Sequence, residues 1–349
     1  MDNTELNGFS KWSQSEKIDW VIRNFCSDPD WARSTLQNFS YSGEQQEILN
    51  GFSENTLTNF PLPYGIAPHF IINGRSYAIP MVIEESSVVA AASAAAKFWK
   101  SRGGFTAEVL STKKEGQVHF RWTGSAELLY ESLPAFEKKL RSDTSNFTKN
   151  MRERGGGIGS LDLKASEAVG PDIYQLRFLF ETCDSMGANF INSVLERAAD
   201  LWPAFLEEES DSEGEMEIIM AILSNYTPAC VVRAEVSCPV SDLGDFPEGM
   251  SAEDFAIRFK RAVDIARHDV YRATTHNKGI FNGIDAVVLA TGNDFRAVEA
   301  AGHAYASRSG QYRSLSECEI REGIFYFWLE VPLALGTVGG LTHLHPMAS

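Results

Sequence analysis

The spacing of hydrophobic and polar positions predicts helices first. Ser13 is placed to cap a helix that takes in Trp20 to Phe25, and Trp31 to Phe39 forms a second. Three prolines then crowd Asn59 to Gly74, a stretch ending in Asn73-Gly74, the dipeptide of a tight hairpin turn. Tyr77 to Ile83 is a short apolar strand. Glu84-Glu85-Ser86-Ser87 precedes a helix from Val88 to Lys100, with Ser86 or Ser87 able to cap it.

From about Thr112 to Ser224 the pattern changes. Val118 to Thr123 alternates like a strand, Leu128 to Leu140 is helical, and Gly155-Gly156-Gly157 is a flexible turn. Ile173 to Phe180 reads as a strand, Gly187 to Leu206 as a helix, and Glu217 to Leu223 and Val231 to Cys238 as further strands. This order predicts an α+β fold in which a small layer of the split βαβ, ferredoxin-like kind is inserted into a larger helix-rich domain. The boundaries that follow are 1–111 and 225–349 for the large domain and 112–224 for the insertion. The large domain resumes with a helix from Ser251 to Ala273, a buried strand from Ala286 to Ala290 and a helix from Phe295 to Arg308. The chain closes on Thr337-Val338-Gly339-Gly340, then His343 and His345, with no helix after them, and so reads as unfinished.

Bulk properties narrow the function. At 349 residues the chain suits about two domains. No apolar run approaches the roughly 20 residues of a membrane span, since Lys97 and Lys100 close the Ala-rich stretch from Val88 to Ala96. Met1 to Asn7 lacks the basic and apolar regions of a signal peptide, which points to the cytoplasm. A formal net charge of −16 argues against nucleic acid as a partner. Much of that excess sits in Glu207 to Glu217, read as a solvated loop. Five scattered cysteines without a C-x-x-C pair fit reduced thiols, and seven dispersed histidines give no support for a metal.

Three clusters could carry chemistry. Glu84-Glu85 at the start of a helix either complements the helix dipole or supplies a buried carboxyl able to donate a proton. Tyr271 to Asp285 crowds cation, amide and hydroxyl groups beside glycines, with Asp294 following in Thr291-Gly292-Asn293-Asp294; a surface loop and a helix cap would look similar. Asp184-Ser185-Met186-Gly187-Ala188-Asn189 lies between a strand and a helix, where backbone N–H groups can receive a phosphate, although a plain connection is the simpler reading of the pattern alone.

Together these stretches resemble the hydroxymethylglutaryl-coenzyme A reductases of the bacterial, degradative-type class II. Glu54 to Leu57 with Phe60 to Pro63 looks like that family's E-N-x-I-G-x-F-x-L-P element, and Glu84 to Ser93 resembles E-E-P-S-V-V-A-A-A-S. Asp184 to Asn189 resembles D-A-M-G-A-N, and Tyr271 to Asp285 follows Y-R-A-A-T-H-N-K-G-I-M-N-G-I-D almost residue for residue. Ala290 to Asp294, His303 to Ala306 and Gly336 to Gly340 match A-T-G-N-D, H-A-Y-A and G-T-V-G-G. The resemblance implies interconversion of hydroxymethylglutaryl-CoA and mevalonate plus CoA by two hydride transfers with NADPH or NADH. It implies Glu85, Lys278 and Asp294 as catalytic residues, with Asp294 linking the other two. Arg272, Ser87 and Asn282 would hold the acyl-CoA substrate, and Asp184, Met186, Gly187, Ala188, Asn189 and Thr148 the cofactor. A homodimer or larger assembly with an interfacial site is implied as well. The alternative is a truncated, non-catalytic CoA- or nucleotide-binding homologue with a role in assembly.

The pattern departs at three places. Ser86 replaces the family's proline. Thr148 stands where NADH-preferring relatives carry an aspartate, which with Lys149 nearby leans the cofactor toward NADP. The family's catalytic histidine lies in a C-terminal segment beyond Ser349, and His343 and His345 do not take its place. Such a chain is expected to reduce mevaldehyde while failing at the thioester.

Overall fold

The computed structural model describes residues 8–209, 214–244, 246, 249–339, 342, 345 and 347–348; His343 lies outside them. Three helices lead, α1 (Gln14–Phe25), α2 (Pro29–Asn38) and α3 (Glu44–Asn50). Ser13 begins α1 with a complete capping box, its hydroxyl accepting the Glu16 N–H while the Glu16 carboxylate accepts the Ser13 N–H. Asp28 caps α2, with Pro29 at the first helical position, where its missing N–H is harmless.

An antiparallel hairpin follows, β1 (Tyr64–Ile72) with β2 (Arg75–Val82). It turns on Asn73 and Gly74, whose φ values of 49° and 78° are those a two-residue hairpin loop needs. α4 (Val88–Lys100) comes next. Ser87 holds its cap position, but with φ at 73° its hydroxyl makes no capping bond, so the expected serine cap is absent.

Beyond β3 (Thr106–Val109) lies the α+β layer. Its elements are β4 (Lys114–Trp122), α5 (Ala126–Asp143), the short α6 (Lys149–Glu153), β5 (Gly157–Ala165), β6 (Ile173–Glu181), α7 (Ala188–Glu209) and β7 (Met216–Leu223). The sheet order β5-β6-β4-β7, antiparallel throughout, is the split βαβ, ferredoxin-like arrangement. Alternation makes the core: Tyr174, Leu176, Phe178 and Phe180 of β6 join Val118, Phe120 and Trp122 of β4 against the helices. Trp202 of α7 is fully buried there, its ring 4.5 Å from that of Phe136 on α5. The acidic run is not simply a loop, because Glu207 and Glu208 belong to α7 and Met216 opens β7, with 210–213 outside the described residues.

The remainder holds β8 (Val231–Pro239), α8 (Ala252–His268), α9 (Val270–Ala290), α10 (Phe295–Ala306), β9 (Ser316–Arg321) and β10 (Ile324–Pro332). A second antiparallel sheet, β3-β8-β10-β9, was not expected in this helix-rich part. Its β10 is almost continuously apolar, with both faces at least partly covered, and so shows no period-two signal. Two further expectations change. The stretch Ser251 to Ala273 breaks at Asp269, which turns extended and caps α9 through the Arg272 N–H. Ala286 to Ala290, expected as a strand, is the last turn of α9, since a short apolar run is equally at home in a buried helix. Ala286 packs with Ala67 and Met81 of the hairpin and with Val88, Val89 and Ala92 of α4, and this shared core fixes α9 beside the β2–α4 loop.

Candidate active site

That packing brings together residues 193 apart in sequence. Lys278 on α9 donates from Nζ to Oε2 of Glu85, in the β2–α4 loop, at 2.5 Å. The pair is open, with side-chain exposures of 62% for Lys278 and 45% for Glu85, so the buried carboxyl imagined from sequence is not present in the single chain. An exposed pair of this kind adds little to stability.

Around it, the polar groups of Arg272, Ser87 and Asn282 are unspent. Among the described residues the Arg272 guanidinium makes no ion pair or hydrogen bond, the Ser87 hydroxyl caps nothing, and the Asn282 carboxamide, one turn beyond Lys278, has no partner. Gly279 and Gly283 keep this stretch of α9 bare, for a Cβ added at either would meet nothing within 4 Å. Helix-interior glycine without a packing reason costs about 1 kcal/mol against alanine, and close approach by a ligand or partner is what it allows. Behind this face, Asn277 is fully buried and clamps the chain: Nδ2 donates to the Arg313 carbonyl and Oδ1 accepts the Leu315 N–H, both at 3.0 Å. Burial holds the neighbouring His276 below the ordinary imidazole range, and the Arg272 charge adds to this.

Asp294 is not drawn into contact with Lys278 or Glu85. It caps α10, accepting the Arg296 and Ala297 N–H groups at 3.1 and 3.2 Å, and pairs with the Arg296 side chain. Burial alone would raise its carboxyl; the hydrogen bonds from Ala297 and Arg296 outweigh that and hold it below the usual carboxylate range. The link between three catalytic groups expected from the family pattern therefore reduces here to two in contact, with Asp294 at the corner of the adjoining helix.

Asp184 to Asn189 form the connection from β6 into α7, where the first N–H groups of a helix lack intrahelical partners. Gly187 takes φ of 84° and lies so close to Thr182 that a Cβ would come within 2.4 Å of it. Met186 and Ala188 line a groove with Lys114, Ile191 and the α10 residues Ala297 and Val298, so the loop faces the helix that Asp294 caps. Thr148 is placed differently from the sequence expectation: it is 3% exposed, and its hydroxyl is spent on the Thr144 carbonyl at 2.8 Å. Sequence reasoning missed Lys114. It is buried at the first position of β4 and donates to Thr182 Oγ1 and, at 3.0 Å, to the Ser185 carbonyl. Burial lowers its pKa, partly offset by nearby Cys230 and Glu181. A lysine opening a strand carries no sequence signal of that task.

A cation held at a carboxylate and unspent polar groups on one helix face, beside a helix-start loop on a ferredoxin-like layer, are features that an enzyme stabilising an oxyanion beside a nucleotide would need. The model of the hydroxymethylglutaryl-coenzyme A reductase family matches residues 17–349. The chain belongs to that family. It is 31% identical to the reductase of Archaeoglobus fulgidus over 99% of this chain and 75% of that protein. A probable reductase of Borreliella burgdorferi is 30% identical over 98% of this chain and 75% of that protein. Among solved structures, the class II reductase of Streptococcus pneumoniae bound to NADPH in open conformations is similar at a TM-score of 0.77 and 34% identity, covering 99% of this chain and 90% of that one.

Proposed function

We propose that the chain acts as a class II hydroxymethylglutaryl-CoA reductase, with Lys278, Glu85 and Asp294 catalytic, and NADPH or NADH as cofactor. The observation that carries this is the Lys278–Glu85 hydrogen bond, a contact made by two of the family's motifs across the fold. The cofactor, when bound, supplies hydride. As the thioester carbonyl becomes an oxyanion, the Lys278 ammonium is the charge placed to stabilise it. Glu85, in hydrogen-bond contact with that ammonium, supplies the proton when mevaldehyde becomes mevalonate. Arg272 suits the free carboxylate of the acyl group, with Ser87 and Asn282 as further substrate contacts. Asp294 acts from the α10 cap and reaches the pair only if the site closes.

Asp184, Met186, Gly187, Ala188 and Asn189 are assigned to the cofactor, in a binding unit spanning 112–224, with 1–111 and 225–349 holding the substrate. The fit rests on the tight backbone at Gly187 and the groove facing α10. Thr148, being buried, would act by leaving room for a 2′-phosphate rather than by contacting it. Lys149 nearby keeps the lean toward NADPH, in line with the cofactor bound in the Streptococcus pneumoniae structure. The exposure of Lys278 and Glu85 supports a homodimer or larger assembly whose second chain covers them. Among the described residues no helix is long and apolar enough to cross a membrane, and a cytoplasmic enzyme is the corresponding proposal.

The test is oxidation of NADPH and of NADH by this chain, with and without hydroxymethylglutaryl-CoA, and with mevaldehyde in parallel. Substrate-dependent oxidation with either substrate supports the reading. Absence of both, in a folded chain that binds neither cofactor nor acyl-CoA, overturns it.

A further inference from the structure

The corner between α9 and α10 carries an interaction the catalytic scheme does not use. Asn293, immediately before Asp294, grips one distant residue from both sides: its Oδ1 accepts the Gly336 N–H at 2.9 Å and its Nδ2 donates to the Gly336 carbonyl at 3.1 Å. A carboxamide alone among small side chains offers donor and acceptor in one plane, so neither aspartate nor serine reproduces both bonds. Local capping by asparagine is common, but this contact spans 43 residues.

Gly336 in turn touches the Asp184–Asn189 loop. A Cβ added to Gly336 would lie 2.8 Å from the Met186 nitrogen, closer than a side chain can sit. The next residues continue the contact: the Thr337 N–H donates to the Asp184 carbonyl at 2.8 Å, and Val338 forms a parallel bridge with Ser185. On the far side the buried Lys114 and Thr182 hold the Ser185 carbonyl, Thr182 from its hydroxyl at 2.7 Å. The loop is thus clamped between its own sheet and the segment 336–338, and Asn293 is what ties that segment to the α9–α10 corner.

We propose that Asn293 is a positioning residue that fixes the cofactor loop relative to Lys278 and Asp294 by holding Gly336. The inference rests on the assignment of Asp184–Asn189 to the cofactor. With the grip released, the segment 336–338 is free to shift and the loop loses one wall, while α9 keeps its separate anchor through Asn277. Cofactor binding should suffer and acyl-CoA binding should not.

The experiment measures dissociation of NADPH, NADH and hydroxymethylglutaryl-CoA from the full chain, with melting temperature alongside, for wild type, Asn293→Ala, Asn293→Asp and Gly336→Ala. Loss of two neutral hydrogen bonds predicts cofactor binding about ten-fold weaker in Asn293→Ala, with acyl-CoA affinity within about two-fold of wild type. Asn293→Asp keeps the shape and the acceptor but sets an oxygen against the Gly336 carbonyl, so it should weaken cofactor binding at least as much. Gly336→Ala should do the same from the other face, and combined with Asn293→Ala it should add less than its own effect. Unchanged cofactor affinity in both Asn293 variants, in a wild type that binds cofactor, overturns the inference alone. Equal loss of cofactor and acyl-CoA affinity with a falling melting temperature also overturns it, since that marks a merely structural role. A wild type that binds acyl-CoA but neither nucleotide removes the cofactor assignment, and the inference with it.

Discussion

At the residue scale, the proposed function rests on a cation assigned to the reaction rather than to the fold. Lys278 is 62% exposed and among the described residues pairs only with Glu85, so its removal should leave stability nearly untouched. Lys278→Ala is expected to lower kcat by about 10²–10³, as for other removed oxyanion donors, with cofactor affinity unchanged; steady-state kinetics beside nucleotide titration would check this. Arg272→Lys keeps the charge but loses the two-pronged geometry that fits a carboxylate, so acyl-CoA affinity, read by direct binding, should fall while cofactor affinity stays unchanged. Two asparagines show that the neighbours of such residues are used alike. Asn277 and Asn293 directly precede Lys278 and Asp294, and each holds a distant strand of backbone through both ends of its carboxamide.

Within α9 the proposed substrate face and the packing face compete. Gly279 and Gly283 weaken the helix, and a Cβ at either would meet nothing within 4 Å among the described residues. Gly279→Ala should therefore raise the stability of the isolated chain by about 0.5–1 kcal/mol while raising KM for the acyl-CoA. Denaturant melts and kinetics on the same preparation would show whether the two effects part. Where α9 meets α10, the Asp285 carboxyl lies within the influence of Glu299, and its Oδ1 is buried without a hydrogen-bond partner among the described residues. Burial, then the Glu299 charge, push the Asp285 carboxyl up to about 7. The folded chain then holds a proton that the unfolded chain has released above its own carboxylate pKa, near 4. Stability from this pair is present at low pH and declines as pH rises from about 4 to about 7, the opposite of a salt-bridged aspartate. Denaturation at pH 5.5 and pH 8 should show that decline, and Asp285→Asn should flatten it.

For the whole molecule, the single chain leaves its chemistry uncovered. Lys278 and Glu85 face solvent, and Tyr271, at the start of α9, is 89% exposed. A large aromatic group in that position fits a partner surface better than water. Sedimentation should give a particle of at least twice the chain mass, and Tyr271→Asp should reduce both that mass and turnover. A monomer with full activity would remove the interfacial reading.

The sequence by itself determined many of the local elements and named candidate residues for the site. Ser13, Asn73-Gly74 and the alternation of β6 act through neighbours a few residues away, so their outcome is written in short stretches. Family motifs likewise pick out Glu85 and Lys278 without geometry. Only the tertiary structure decided how they meet. Ala286 to Ala290 became helix rather than strand because its apolar side chains close a core with the hairpin and α4, a choice that depends on partners some 200 residues away. Separation along the chain likewise hides Lys114 and Asn293, whose roles lie in bonds to backbone groups that no local pattern announces. Thr148 shows the converse: the family pattern marks its position, but burial decided that its hydroxyl is already spent. Short-range physics is legible in the order of residues, whereas burial and long-range pairing exist only once the chain has closed on itself.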